Sequence, residues 1–340
     1  MNTNEPPDVV FIVPYRNRPQ HKYFFLNYMT HHILPPNTSK KYEIYMSHQH
    51  DKRAFNRGAM KNIGFLAVKN KYPEHYKAIT FVFNDVDTLP FASIFNYQTT
   101  QGIVKHFYGF EYALGGIVAI TGADFEAVNG YPNYWGWGME DRVLQERCLD
   151  RQLRIDRNQF FPIGSPEILQ LFDGVERLIN PADMERSKYD ASTTNGLASI
   201  SLLKYKIKDG DASANKNDMK YVVQSTTHPI STTPPTSTSN SNINTFVYFI
   251  NTSFFLTGSN FETNKSQLLH YDLRPGASRM AQTYKVEQSQ MVETTDTWKN
   301  IPMYPTHQQK RSMEKQHGKE RAKQITAQQY YQSNKRGRPK

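Results

Sequence analysis

Three apolar runs, separated by two stretches of helical spacing, constrain the fold of this chain more than any other feature. "VVFIV" (Val9–Val13) is continuously apolar and ends at Pro14, "YEIYMS" (Tyr42–Ser47) alternates, and "AITFVFND" (Ala78–Asp85) is the strongest buried-strand signal in the sequence. Such runs suit strands covered on both faces. Between them, "HKYFFLNYMTHHIL" and "NRGAMKNIGFLAVKN" carry apolar residues at helical spacing; Met60, Ile63, Phe65 and Leu66 recur in the second. A β-α-β-α-β order predicts an α/β fold: a parallel or mixed Rossmann-like sheet with helices on both faces. Sheets of this kind bind ligands beyond the carboxyl ends of their strands. Arg16 and Arg18 follow the first run there, and the D-x-D pair Asp85 and Asp87 follows the third.

Further along, "GGIVAIT" (115–121) reads as another strand, "GADFEAVNGYP" as a short helix closed by Gly130, and "RVLQERCLDRQLRI" as a helix burying Val143, Leu144 and Cys148. Regular patterning fades near Ile207. The Ser/Thr/Pro/Asn-rich tract within residues 208–243 is too polar to order itself by burial, which predicts a linker. Strand character returns in "INTFVYFINTSFFLTG", so residues 244–300 are expected to hold a small β-rich extension. Residues 301–340 carry ten Lys or Arg against two Glu, most of the net charge of +10, and are expected to be a disordered basic tail. The charge therefore says little about the folded part. A single cysteine excludes an internal disulfide, and no apolar run approaches membrane-spanning length. The N-terminal residues lack the basic and apolar regions of a signal peptide, so a soluble, cytoplasmic protein is expected.

The densest chemistry lies in "GYPNYWGWGMED" (130–141), where two tryptophans alternate with glycines and finish on paired acids. Neither a strand nor a helix favours those glycines, so the run reads as a shaped loop. Trp135 and Trp137 would offer flat faces to the C–H surfaces of a sugar, and Glu140 and Asp141 would take its hydroxyls, one of them as a general base. Asp85 and Asp87 would present carboxylates to a hard divalent ion shared with substrate phosphates. Arg16, Arg18 and Arg57 are candidates for diphosphate contacts. Each feature also has a plainer reading: a solvated turn for D-x-D, surface ion pairs for the arginines, and a core tryptophan beside two acids opening a helix.

Taken together, "IVPYRNRPQH", "AFNRGAMKNIGF", "FNDVDTLP", "GGIVAITGADFEAVNGYPNYWGWGMED" and, more loosely, "NGLASI" resemble the β-1,4-galactosyltransferase family of inverting glycosyltransferases, over about Val9 to Ile207. The resemblance implies a GT-A catalytic domain over 1–207. It also implies transfer of galactose from a UDP-sugar donor to the hydroxyl of a carbohydrate or glycoconjugate acceptor. By the same likeness Pro14, Arg16, Phe55 and Arg57 would line the uridine-diphosphate site, with Asp85 and Val86 near the ribose and Asp87 on Mn2+. Trp137 would lie between donor and acceptor on a mobile loop, Glu140 would hold the acceptor, and Asp141 would be the base.

Three features depart from the family pattern. Its second metal-ligand pair is missing from "EILQLFDGVERL", where Gln170 and Asp173 hold the corresponding places, so an oxygen-only set for Mn2+ or Mg2+ is expected. Met139 stands where the family has glycine, and Arg142 where it has an acid. Ala113, ahead of Gly115 and Gly116 in the expected donor site, replaces a bulky aromatic, which makes N-acetylgalactosamine a credible donor beside galactose. The rival readings are a related N-acetylgalactosaminyl or chondroitin-type transferase and a weak sugar-nucleotide-binding protein. "KRGRPK" (335–340) also contains an AT-hook-like core that would bind nucleic acid.

Overall fold

The computed structural model describes residues 5–34, 39–172, 174, 176–189, 194–210, 245–258, 268–272 and 315. The chain divides into two compact units, Met1–Thr294 and Thr295–Lys340. All the architecture below belongs to the first. The expected basic tail apart from Lys315, its AT-hook-like segment and most of the 208–243 linker lie outside the described residues.

Chain order begins with β1 (Val9–Tyr15), α1 (Pro19–Tyr28), β2 (Tyr42–Gln49), α2 (Arg57–Lys71), β3 (Thr80–Asn84) and β4 (Thr88–Pro90). It continues with β5 (Ile103–Gly109), β6 (Ile117–Thr121), α3 (Gly122–Ala127), α4 (Glu140–Asp150), β7 (Arg154–Asp156), β8 (Phe161–Pro162) and β9 (Ile168–Gln170). The last elements are β10 (Glu176–Ile179), α5 (Pro181–Arg186), β11 (Ser201–Gly210), β12 (Thr245–Leu256) and β13 (Leu269–Asp272). The main sheet has nine strands in the order β11-β12-β2-β1-β3-β6-β5-β7, with β8 alongside β5. β1 runs parallel to β2 and β3, whereas β6 is antiparallel to β3, so the sheet is mixed.

Every residue of β1 is buried, because side chains alternate between two covered faces. Val9, Phe11 and Val13 pack with Phe25, Leu26 and Met29 near α1. Val10 and Ile12 pack with Met60, Ile63, Phe65, Phe125 and Leu144 from α2, α3 and α4. Asn56 caps α2, its side chain accepting from the Ala59 N–H at 2.9 Å.

The expected boundary at residue 207 falls inside β11, and the expected separate extension at 244–300 is wrong in its first strand. β12 pairs with β11 and also lies parallel to β2 from Thr245↔Tyr42 to Thr252↔Gln49, within the main sheet. Val247, Phe249 and Ile250 bury themselves in the two core layers, which no independent module would need. Among the described residues no helix is long and apolar enough to cross a membrane.

Candidate active site

Beyond the carboxyl end of β3 the chain turns through Asp85, Val86 and Asp87. The Asp85 N–H donates to the Gly116 carbonyl at 3.0 Å, tying this turn to the start of β6. Arg57 opens α2 and Glu140 and Asp141 open α4, so the two helix starts and the strand tip converge. The acids at the α4 start also complement its dipole.

Arg57 links them. Its Nε and Nη2 donate to Asp85 Oδ1 at 3.0 and 2.7 Å, and Nη2 also reaches Oδ2 at 2.6 Å. Nη1 donates to Glu140 Oε1 at 2.6 Å and to Asp141 Oδ2 at 2.8 Å. One guanidinium thus holds three carboxylates, the planar fork geometry that arginine supplies and lysine does not. Asp141 has a second cation, Lys61 Nζ, at 3.3 Å from Oδ1. Gly115 gives this carboxylate room: a Cβ there would lie 2.4 Å from Asp141 Oδ2.

The two acids at the head of α4 are driven apart electrostatically. Burial and the Asp141 charge raise the Glu140 carboxyl above its ordinary range, against the pull of Arg57 and Lys61. Burial would raise Asp141 too, but Arg57 and Lys61 outweigh it and hold Asp141 below its usual value. Paired carboxyl groups displaced in opposite directions are a pattern that separates roles at catalytic sites. Glu140 is 3% exposed, and its Oε2 has no hydrogen-bond partner among the described residues. A buried orphan oxygen of that kind is costly unless a ligand completes it.

Asp87 is partly exposed, accepting from the Thr88 hydroxyl at 3.0 Å. Burial and Asp85 raise its carboxyl, while the Thr88 hydrogen bond, Arg18 and His21 oppose the shift. Arg177 on β10 also feels this carboxylate. Sequence reading named neither His21, whose Nε2 lies 3.0 Å from the Phe172 carbonyl, nor Arg177. A lone histidine on an amphipathic helix and a lone arginine after a loop carry no local signal.

Of the expected metal set, Gln170 lies on β9 opposite Thr88, close to Asp87 in the chain path, and its Oε1 already accepts from the Tyr108 hydroxyl at 2.6 Å. Asp173 lies outside the described residues. Among the described residues no group of three or more His, Cys, Asp or Glu gathers as a metal cage. Asp87 alone still suits a hard cation, which commonly takes one or two carboxylates and completes its shell from substrate phosphate.

The remaining residues expected at a donor site sit around the same edge. Pro14 is buried one residue before the end of β1, Val86 is buried in the turn, and Phe55 is half-buried just before α2. Arg16 donates to the Arg53 carbonyl. Ala113 and Gly116 lie on the approach to β6; Gly116 holds φ +67°, and a Cβ there would lie 2.4 Å from the Tyr108 carbonyl oxygen.

The tryptophan pair divides. Trp137 is 43% exposed, its N–H donating to the Leu178 carbonyl at 2.6 Å and its ring lying 6.0 Å from the Arg177 guanidinium. Trp135 corrects the expectation of a two-ring sugar platform. It is 1% exposed, stacked on Phe255 at 5.3 Å and covered by the Arg53 guanidinium at 4.6 Å. The indole of Trp135 thus pins β12 to the loop that precedes α4. Trp135→Ala is expected to cost about 3 kcal/mol of stability, as for other buried aromatics. Trp137→Ala should change stability by less than about 1 kcal/mol. Chemical denaturation of both variants checks the contrast. Met139, the residue before α4, sits at φ +74°, a left-handed conformation that favours glycine and costs other residues about 1–2 kcal/mol.

Comparison with known proteins agrees with this geometry. The N-terminal region of glycosyl transferase group 7 matches residues 3–100, and the N-terminal domain of galactosyltransferase matches residues 104–169. Beta-1,4-galactosyltransferase 1 of Bos taurus is 28% identical over 215 residues, covering 60% of this chain and 52% of the relative. Beta-1,4-galactosyltransferase 2 of Cricetulus griseus is 33% identical over 169 residues, 45% of this chain and 44% of that protein. The chain spans about half the length of the curated relatives it matches. The catalytic domain of Drosophila beta1,4galactosyltransferase 7 in complex with xylobiose superposes with a TM-score of 0.52 at 19% identity, over 75% of this chain and 96% of that one. A D211N mutant of the same enzyme, in complex with manganese, UDP-Gal and xylobiose, gives 0.50 at 19% identity over the same shares. These likenesses show the GT-A fold. By two successive family matches across residues 3–169 and by these curated relatives, the chain is similar to the β-1,4-galactosyltransferase family.

Proposed function

We propose that this chain is an inverting glycosyltransferase that moves galactose or N-acetylgalactosamine from a UDP-sugar to the hydroxyl of a sugar acceptor. The observation that carries the reading is the Arg57-centred cluster, where Asp85, Glu140 and Asp141 meet at the strand tip beside Asp87. A solved relative at 19% identity that holds manganese, UDP-Gal and xylobiose supports the choice of donor, cofactor and acceptor class.

In this reading Arg16, Phe55 and Arg57 bind the uridine-diphosphate moiety, Val86 and Asp85 flank the ribose, and Trp137 closes over the sugar. Glu140 Oε2, without a partner in the described residues, accepts a hydrogen bond from an acceptor hydroxyl. Asp141 takes the proton of the reacting hydroxyl as its oxygen bonds to the anomeric carbon, while the bond from that carbon to the diphosphate oxygen breaks and its electron pair leaves with UDP. Attack from the face opposite UDP inverts the anomeric configuration. Asp87 would hold a Mn2+ or Mg2+ ion, with Gln170 and Asp173 as further oxygen donors; a bound ion supplies charge to offset the leaving diphosphate.

Ala113 sets the donor preference. With a methyl group where an aromatic ring would narrow the site, UDP-N-acetylgalactosamine is expected to turn over alongside UDP-galactose. A transfer screen with Mn2+ and both donors, across a panel of acceptor sugars, tests the activity and this preference together. Absence of product from every donor and acceptor contradicts the activity; exclusion of the N-acetyl sugar alone contradicts the role of Ala113.

A further inference from the structure

Lys61 is completely buried, on α2 one turn after Arg57, and so points to the same side of the helix. Its Nζ lies 3.3 Å from Asp141 Oδ1, 3.9 Å from Asp85 Oδ1 and 4.3 Å from the centre of the Tyr131 ring. A lysine withdrawn from water costs several kcal/mol unless it is paired. Its neighbours on the helix, Met60 and Ile63, are core residues, so an apolar side chain would serve packing equally well. A charge placed here at that cost calls for a purpose beyond packing.

We propose that Lys61 is the positioning residue of the catalytic base, gripping one carboxylate oxygen of Asp141 independently of Arg57. The inference rests on Asp141 being the base. Its two oxygens are divided, Oδ2 to Arg57 and Oδ1 to Lys61. Arg57 is shared with Asp85 and Glu140 and belongs to the expected donor site, so a donor competes for it. Lys61, fully buried, does not face that competition. Its grip fixes the carboxylate in orientation and keeps it ionised through the donor-binding step, and Gly115 leaves the space the carboxylate needs.

The groups that act on Asp141 are Arg57 and Lys61 from α2, Glu140 on its own helix, Tyr131 from the preceding loop and His106 from β5, while Asp85 after β3 shares both cations. Burial pushes His106 down to about 4, so it carries no charge near neutrality. Burial and Arg57 lower the Lys61 ammonium, against the opposing carboxylates of Asp141 and Asp85. Removing Lys61 therefore strips Asp141 of one of its two cations and leaves both neighbouring acids.

The test is a carbon-detected carboxyl titration of the full-length protein, with the Asp141 signal assigned by its loss in Asp141→Asn. Wild type is expected to titrate below the ordinary aspartate range. In Lys61→Met and in Lys61→Gln, whose amide keeps a polar atom if methionine disturbs folding, the Asp141 pKa should rise by about one unit, as for loss of an opposite charge at this distance. The acid limb of the transfer rate should move upward with it, while UDP affinity holds. An Asp141 that titrates in the ordinary range in wild type, or at the same pH in wild type and a folded variant, overturns the inference. A shifted carboxyl in a protein that transfers no sugar leaves the Lys61 grip on the Asp141 carboxylate standing and refutes the proposed function instead.

Discussion

Asp141→Asn is expected to lower sugar transfer on the order of a thousandfold while UDP binding persists, within the range typical for loss of a general base. Asparagine keeps the shape of the side chain and can still accept from Arg57 or Lys61 through its carbonyl, but it cannot take a proton. Glu140 cannot replace it. Its carboxyl is buried, and its Oε1 is held by Arg57. Steady-state transfer alongside calorimetric UDP titration separates the two effects. Parallel loss of binding and transfer would make Asp141 part of the donor pocket rather than the base.

Arg57→Met is expected to be the most destabilising single change at the site, by about 5 kcal/mol, the upper end for removing one partner of a buried ion pair. Three carboxylates lose their shared guanidinium at once, and Glu140 is almost wholly buried. The pH response should change as well. In wild type the Asp141 carboxyl is depressed, so its contribution is present above the unfolded pKa and is lost as pH falls through the lower folded value. Without Arg57, burial and mutual repulsion favour protonated carboxyls in the folded state. The variant should therefore gain stability relative to wild type on acidification from neutral pH toward pH 5. Denaturant midpoints at the two pH values read this directly; an equal acid response in both proteins would show that Arg57 does not neutralise the cluster.

Local patterns carried the strands, helices and acids into view because each announces itself within a few residues. β1 and β3 are buried on both faces and read as unbroken apolar runs. Asp85 and Asp87 stand just past such a run, and Glu140 and Asp141 open a helix whose apolar face recurs at Val143, Leu144 and Cys148. What escaped depends on partners distant in sequence. Trp135 and Trp137 have the same glycine-rich surroundings. Phe255 and Arg53, which bury the first of them, lie about 120 and 80 residues away, a separation at which propensity is silent. β12 looked like the start of an appended piece because a polar tract precedes it, yet its register with β2 makes it part of the sheet. Lys61 reads as an ordinary exposed lysine between apolar helix positions. Only the convergence of α2, α4 and β3 reveals that it is buried against Asp141.

The stereochemistry of the product probes most directly the claim that Asp141 drives a single displacement at the sugar carbon. Proton NMR of freshly formed product from an α-linked UDP-sugar should show only the β-glycoside. An α-glycoside would contradict the account, since it requires either a second displacement or attack from the same face as the departing nucleotide.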